Sequence, residues 1–487
     1  MERKVPREVQ EVVAALEGAG FEAYIVGGCV RDMLLERDPN DWDVTTNAIP
    51  QQVQKIFPDS VYENDFGTVG VKTDADDAAL KIIEVTTYRI EGRYTDKRHP
   101  DAIRFAQTIE EDLSRRDFTV NACAASVVDG AIGAIVDPYG GQADAEKKTI
   151  RAVGKPEDRF GEDALRMLRA VRFAAQLGFD IEPQTQAAIA RDAALLAHIS
   201  QERIRDEFSK LIMAPQAAWG MQMLYTLGLL RFIIPELVEG IGMAQNKHHI
   251  FTVWEHNLRA LDYAVSKNYS FDVRLASLLH DVGKPRTKRG DGPDATFYAH
   301  EIIGGRMTRK ILERLRFSNH IIEYVTHLVR YHLFYYNVGE VSEAGVRRFI
   351  ARVGEDSIDD LIKVREADRI GSGVPKAVPY KLRHLLFMIE KVKHDPISPK
   401  ALKINGTQLM EALKITPGPR VGHVLNALLE EVIDDPARNT RAYLEKRAQE
   451  LNQLPDAELE MMRAKAEAAK EEFEGAAETE MKKKHHV

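Results

Sequence analysis

Asp41 and Asp43, in the run Asp41-Trp42-Asp43-Val44, are the first side chains whose type and spacing suggest chemistry. On a strand, alternation points both carboxylates to one face and Trp42 and Val44 to the other. Two carboxylates on one face repel each other unless a cation sits between them. Hard oxygen ligands of this kind suit Mg²⁺, which keeps waters and also binds substrate phosphates. Taken alone, the pair would read as a solvated turn. The residues upstream change that. Tyr24-Ile25-Val26 is a short apolar run with strand character, and Gly27-Gly28 follows at once, letting the backbone turn tightly and approach a ligand. Val30 to Leu35 fits one or two helical turns. Strand, glycine turn and helix N-terminus together make an anion site. Arg31 lies in the first turn, where the helix dipole disfavours a cation, which implies an anion for it to meet. The joint expectation is a metal–phosphate site.

Three further groups carry polar chemistry. The run Arg115-Arg116-Asp117 pairs two cations, suited to phosphates, with an aspartate that can cap the next helix. Asp163, Arg166, Arg169 and Arg172 recur every three residues, which on a helix places all four on one broad face. A solvated face would mix both signs; three like charges point instead to a polyanion. His256, His280-Asp281, His300 and Asp368 are imidazoles and carboxylates spread over helical segments, and such ligands could hold a divalent metal. Glu84, mid-strand in Ile82-Ile83-Glu84-Val85, is either a third carboxylate for the Asp41 centre or a solvent-facing strand position.

These groups need elements to hold them. Val9, Val12, Val13 and Leu16 have helix-face spacing and stop at Gly18 and Gly20. That helix is expected to pack on the sheet beginning at Tyr24. Pro50 to Phe57 reads as a helix opened by proline, and Gly67 to Val71 and Lys81 to Thr87 as two strands joined by an aspartate-rich turn. The polar, basic stretch from Arg89 to Asp101 is long for a compact-domain loop, and such loops tend to be functional. From about residue 158 onward the patterns are helical. A length of 487 residues argues for about three domains at ~150 residues each. With net charge −8, a nucleic-acid partner must be held by a local basic face. Cys29 and Cys123 alone exclude a disulfide framework. The charged N-terminus has no signal-peptide core and no apolar run reaches the ~20 residues of a membrane span, so a cytoplasmic location is expected. Nothing in these patterns sets an oligomeric state.

The motifs resemble those of the polymerase-β-like nucleotidyltransferases, specifically the bacterial class II tRNA CCA-adding and poly(A) polymerase group. Gly27-Gly28-Cys29-Val30-Arg31-Asp32 matches its GGxVRD, with Asp41 and Asp43 as its DxD. Residues 112–122 match DLxRRDFTxNA, Asp137 to Gly141 its closing turn, and Glu162 to Phe173 its EDxxRxxRxxRF. The resemblance covers most of the chain and is most specific from 24 to 173.

It implies an α+β head with a small mixed sheet (1–150), then a helical neck (151–245), an HD domain (246–375), a body and tail (376–450) and a charged C-terminal helix (451–487). The implied reaction moves a nucleotidyl unit from CTP or ATP to a tRNA 3′ hydroxyl, releasing pyrophosphate. Two Mg²⁺ ions on Asp41 and Asp43 would assist it, with Gly28, Arg31 and Arg116 on the triphosphate. Asp163 and Arg166 can accept from an exocyclic amine and donate to a ring nitrogen, the edge shared by cytosine and adenine. Arg169 and Arg172 would steady that helix and nearby phosphates. The loop at 89–101 resembles the family's flexible loop. His256, His280, Asp281 and Asp368 resemble an HD phosphohydrolase set, with metal occupancy open. Two alternatives remain: a poly(A) polymerase or A-only enzyme of the same family, and an HD metal phosphohydrolase whose first domain only binds RNA.

Overall fold

The structure, a computed structural model, describes residues 4–62, 67–91, 103–246, 250–334, 336–462 and 464. The described chain groups into two compact units, Met1–Glu239 with Ile311–Phe317, and Gly240–Lys310 with Ser318–Val487. The expected boundary at 245/246 lies close to this division, while those at 150/151 and 375/376 fall inside the units. As expected, the chain pairs a mixed-sheet head with a mostly helical remainder.

The first unit opens with α1 (Arg7–Gly18), whose buried residues are Val9, Val12, Val13 and Leu16. Full burial of one such side chain is worth about 1.5–3 kcal/mol, so this face fixes the helix. It shares a core with Ile25, Val44, Val69, Ile83 and Val85 on one side of the sheet. The strands are β1 (Ala23–Val26), β2 (Asp43–Thr46), β3 (Val61–Tyr62), β4 (Thr68–Lys72), β5 (Ile82–Thr87), β6 (Arg89–Glu91), β7 (Ile103–Phe105), β8 (Ala124–Val128) and β9 (Ala131–Val136). Seven of them form one sheet in the order β3-β4-β5-β2-β1-β8-β9, and β6 and β7 pair separately. β2 runs parallel to β5, with Asp43 opposite Glu84. The other pairs in the sheet are antiparallel. The expected strand at 41–44 starts two residues later: Asp41 precedes β2 in a bend, because backbone pairing with β1 reaches only as far as Val44. The loop expected at 89–101 begins in β6, but residues 92–102 lie outside the described residues.

Between the strands run α2 (Gly28–Leu34), α3 (Pro50–Ile56), α4 (Ile109–Ser114) and α5 (Gly141–Glu146). α4 starts with a capping box in which Thr108 accepts from the Glu111 N–H. The helical part of this unit begins with α6 (Pro156–Glu162), α7 (Leu165–Leu177), α8 (Pro183–Asp192) and α9 (Gln201–Ile212). Here the sequence expectation needs correction. Asp163 is not on a continuous helix with the arginines. It terminates α6 in extended backbone, φ −139° and ψ 104°, and α7 starts after it. Its Oδ1 accepts the Leu165 N–H at 3.1 Å, so its side chain satisfies a donor that the helix start leaves open.

The second unit is helical. Its relevant elements are the helices Val253–Ser266, Phe271–Leu279, Asn319–Tyr331 and Glu355–Gly371 and the helix His300–Arg314 as far as Lys310. Further along, Leu409, Val424, Leu428, Val432, Leu444 and Leu451 build a separate small core. Of the expected C-terminal helix, 456–462 is helical and Leu459 is buried in that core; residues 465–487 lie outside the described residues.

Candidate active site

Gly27 caps α2 with φ 81° and ψ −126°, a conformation that side chains other than hydrogen rarely tolerate. A Cβ added there would lie 2.9 Å from Arg116 Nη1 and 3.8 Å from Asp43 Oδ2. The glycine turn, the guanidinium and the carboxylate therefore converge at the head of α2. Trp42 and Val44 are buried in the sheet core, which leaves Asp43 on the opposite side; Asp41, in the bend before β2, is exposed. Burial pushes the Asp43 carboxyl above its usual range; Arg116 opposes this and Asp41 adds to it. Oxygen-only ligands beside a carboxylate whose charge is costly, that of Asp43, suit a hard cation. Glu84 is exposed on the adjacent strand, in register with Asp43 and thus on the same face.

Arg116 is oriented from behind. Asp112, fully buried, accepts from Arg115 Nη2 at 2.8 Å and from Arg116 Nη2 at 3.4 Å. Burial raises the Asp112 carboxyl, but the two arginines more than offset it and hold it below its usual range. Among the described residues, the buried Nε of Arg116 has no hydrogen-bond partner. Gly28 opens α2, and a Cβ there would lie 3.8 Å from Arg31 Nη2. Arg31 is buried; its Nε donates to Asp32 Oδ1 at 2.8 Å and its Nη1 to Asn121 Oδ1 at 2.8 Å. The anion that Arg31 meets within the protein is thus Asp32.

The arginines of α7 are not an unbalanced cation stripe. Arg166 Nη1 donates to Glu162 at 2.6 Å and Nη2 to the Arg115 carbonyl at 3.0 Å. Arg169 pairs with Asp117 at 2.7 Å, and Arg172 with Glu207 at 2.5 Å. Carboxylates from neighbouring elements, invisible to spacing within one helix, neutralise them. Their guanidiniums also gather on Phe173, with Arg172 3.7 Å, Arg169 5.2 Å and Arg31 5.5 Å from the ring centroid. Burial pushes the Asp117 carboxyl up, and Arg169 and Arg166 override it, holding it below its usual range. Asp163 meets Arg203 of α9, whose Nη2 donates at 2.6 Å.

The structure thus brings Gly27, Asp43 and Arg116 together at one turn, with Gly28 next in the chain beside Arg31. It ties Arg166 to the Arg115 carbonyl and Arg169 to Asp117, so the Arg115–Asp117 segment connects the sheet side to α7. Sequence reasoning missed Asp112, Asn121, Arg203 and Glu207. Asp112 and Asn121 lay inside a quoted motif; Arg203 and Glu207 carry no local signal.

In the second unit, His256, His280 and Asp368 form one buried group, and Asp281, His300 and His332 another. His332 was not singled out by sequence. His256 Nε2 lies 3.0 Å from Asp281 Oδ2 and 2.8 Å from His280 Nε2. Against their burial, Asp281 and Asp368 draw the His280 imidazole up to about 10, while burial pushes His332 down to about 3.

Comparison with known proteins places these features. The poly A polymerase head domain model matches residues 23–151, the RNA and SrmB-binding site of polymerase A matches 178–240, and domain 2 of tRNA nucleotidyltransferase matches 298–448. The chain is 33% identical to the CCA-adding enzyme of Lactiplantibacillus plantarum, over 88% of this chain and 93% of that protein. It is 38% identical to the A-adding tRNA nucleotidyltransferase of Deinococcus radiodurans, over 68% of this chain and 76% of that one. The crystal structure of the Bacillus stearothermophilus CCA-adding enzyme in complex with CTP superposes with a TM-score of 0.69 at 28% identity, over 92% of this chain and 98% of that one. Among the described residues, no helix is long and apolar enough to cross a membrane. With the motif residues assembled on this fold and the Lactiplantibacillus plantarum relative matched at 33% identity over 93% of its length, the chain belongs to the class II CCA-adding enzyme and poly(A) polymerase family of nucleotidyltransferases.

Proposed function

We propose that this protein adds C and A residues from CTP and ATP to the 3′ end of tRNA without a nucleic-acid template. The observation that carries this reading is the convergence of Asp43 and Arg116 on the Gly27 turn at the head of α2. The tRNA 3′ hydroxyl attacks the α-phosphate of the bound nucleotide, and pyrophosphate leaves. Asp41 and Asp43, with Glu84 beside them, would hold Mg²⁺, which when bound supplies charge neutralisation for the attacking and leaving oxygens.

The remaining residues bind and orient. The N–H groups that open α2 at Gly28 face the triphosphate, helped by the helix dipole. Arg116, held from behind by Asp112, meets its phosphates, and Arg31 stands one turn into the helix. Asp163 accepts from the exocyclic amine of cytosine or adenine, and Arg166 donates to the neighbouring ring nitrogen. Uracil and guanine would face these two with the wrong donors and acceptors. Arg169 and Arg172, tied to Asp117 and Glu207, keep α7 in place against the head. The tRNA lies along the helical segments and is read through backbone and shape. Such work on tRNA belongs in the cytoplasm.

A second reading, addition of A alone, is favoured by the 38% identity to the A-adding relative. Product length on tRNA lacking its terminus, with CTP and ATP supplied separately and together, separates the two. Full CCA ends with both nucleotides support the first reading. Extension only of tRNA already ending in CC, and only with ATP, supports the second.

A further inference from the structure

Arg159 and Glu162 have no part in the nucleotide contacts described above, yet both reach toward the segment that carries Arg116. α4 ends at Ser114, with Arg115 as its cap, and the last carbonyls of a helix have no partner within it. Two of these carbonyls are met from the α6–α7 side. Arg159 Nη1 donates to the Ser114 carbonyl at 3.0 Å, and Arg166 Nη2 donates to the Arg115 carbonyl at 3.0 Å. Glu162 joins the two guanidiniums. Its Oε1 accepts from Arg159 Nη2 at 2.5 Å and its Oε2 from Arg166 Nη1 at 2.6 Å. Each arginine thus spends one arm of its fork on a carbonyl of the α4 end and the other on the same carboxylate. The side chains of Arg159, Glu162 and Arg166 are only 18%, 25% and 10% exposed, so water and salt screen this bridge in part.

We propose that Arg159 and Glu162 are positioning residues that couple base reading to the grip on the triphosphate, an inference that rests on the proposed function given above. The carbonyl held by Arg166 belongs to the peptide bond that leads into Arg116. A peptide unit is planar, so a tilt of the Arg115 carbonyl turns the Arg116 N–H and Cα with it. Arg166 faces the base and Arg116 the phosphates, and one peptide plane connects them. A base that accepts from Arg166 leaves its guanidinium aligned between Glu162 and the Arg115 carbonyl. A base that presents a donor there displaces the guanidinium, and the start of Arg116 moves with it.

The other supports of Arg116 fit this arrangement. Asp112, on α4 itself, accepts from Arg116 Nη2 at 3.4 Å, and Arg169 holds the following residue, Asp117, at 2.7 Å. The α4 end and Asp117 are therefore fixed on either side, and the Arg115–Arg116 peptide between them is set by Arg166. Glu162 and Arg159 define where Arg166 rests: loss of Glu162 removes the carboxylate at 2.6 Å from its guanidinium, and loss of Arg159 removes the donor on the Ser114 carbonyl. Coupling of this kind is reciprocal, so a bound triphosphate also aligns Arg166 for the base.

The test uses the full chain and inorganic tripolyphosphate with Mg²⁺, a triphosphate that has no base, with binding followed by calorimetry at a temperature where melting curves show each variant folded. Arg159→Gln and Glu162→Gln should each weaken tripolyphosphate binding about threefold to tenfold. Asp163→Ala, which removes a base contact, should lower affinity for CTP more than affinity for tripolyphosphate. Arg159→Lys keeps the charge but loses the fork, so it should resemble Arg159→Gln; recovery to the unaltered value would overturn the two-point bridge. Tripolyphosphate binding unchanged in both glutamine variants would overturn the coupling, even where CTP binding falls. A chain that shows the expected tripolyphosphate pattern but adds neither C nor A to tRNA would overturn the proposed function and support the bridge to Arg116.

Discussion

Asp163 and Arg203 form a two-point ion pair, Nη1 to Oδ1 at 3.2 Å and Nη2 to Oδ2 at 2.6 Å, between the α6–α7 junction and α9. The carboxylate proposed to read the base is therefore set in place by a residue outside the motifs named above. Asp163→Ala should lower use of CTP and ATP and narrow their margin over UTP and GTP. An unsatisfied group costs about 1–3 kcal/mol, so the margin should shrink roughly tenfold to a hundredfold. Arg203→Ala leaves the carboxylate without its ion pair but still on the Leu165 N–H, and should narrow the margin less. Single-turnover incorporation of each nucleotide checks this; an Asp163→Ala enzyme with unchanged preference would show that the base is read elsewhere.

Asp41→Ala and Asp43→Ala should each abolish addition of all nucleotides without lowering Tm. Asp41 is exposed, and burial already makes the Asp43 charge unfavourable, so removing either carboxylate relieves repulsion. Incorporation and melting are measured on the same preparations. A folded variant that still adds nucleotides would remove these residues from the reaction.

Glu84 stands in register with Asp43 on the neighbouring strand. If it is a third oxygen donor, Glu84→Gln should raise the Mg²⁺ concentration needed for half-maximal rate, with little change in KM for the tRNA. A Mg²⁺ titration identical to that of the unaltered protein would assign Glu84 to the solvent-facing role.

Asp117 should give the fold part of its acid sensitivity. Its carboxyl, lifted by burial, is brought below the usual range by Arg169 and Arg166. A carboxylate depressed in the folded state contributes stability that is fully present above its unfolded pKa of about 3.9 and is lost as pH falls through the depressed value. The unaltered protein should therefore lose more stability between about pH 5 and pH 2 than Asp117→Asn does. At neutral pH, Asp117→Asn should lower stability, since it removes the nearer of the two carboxylates on Arg169 and leaves Glu207 at 3.4 Å. Denaturant midpoints across pH measure both effects.

The residues of the Asp41 centre were legible in the sequence because they are governed by local rules. Burial of Trp42 and Val44 on either side of it turns Asp43 outward, a glycine pair follows β1, and the α1 face repeats at helical spacing; each needs only neighbours a few residues away. The HD-like set was legible in part, since His280-Asp281 are adjacent. What local periodicity does not carry is partnership across the chain. It suggested a cation stripe along α7, whereas Asp117, Glu162 and Glu207 neutralise it, and it put Asp163 on the helix that its side chain in fact caps. The approach of Arg116 to Gly27, the register of Glu84 with Asp43, the pairing of Asp163 with Arg203 and the arrival of His332 at Asp281 were decided by tertiary structure alone. Strand order and helix packing bring together residues that no spacing relates, and burial then makes each charge find a partner.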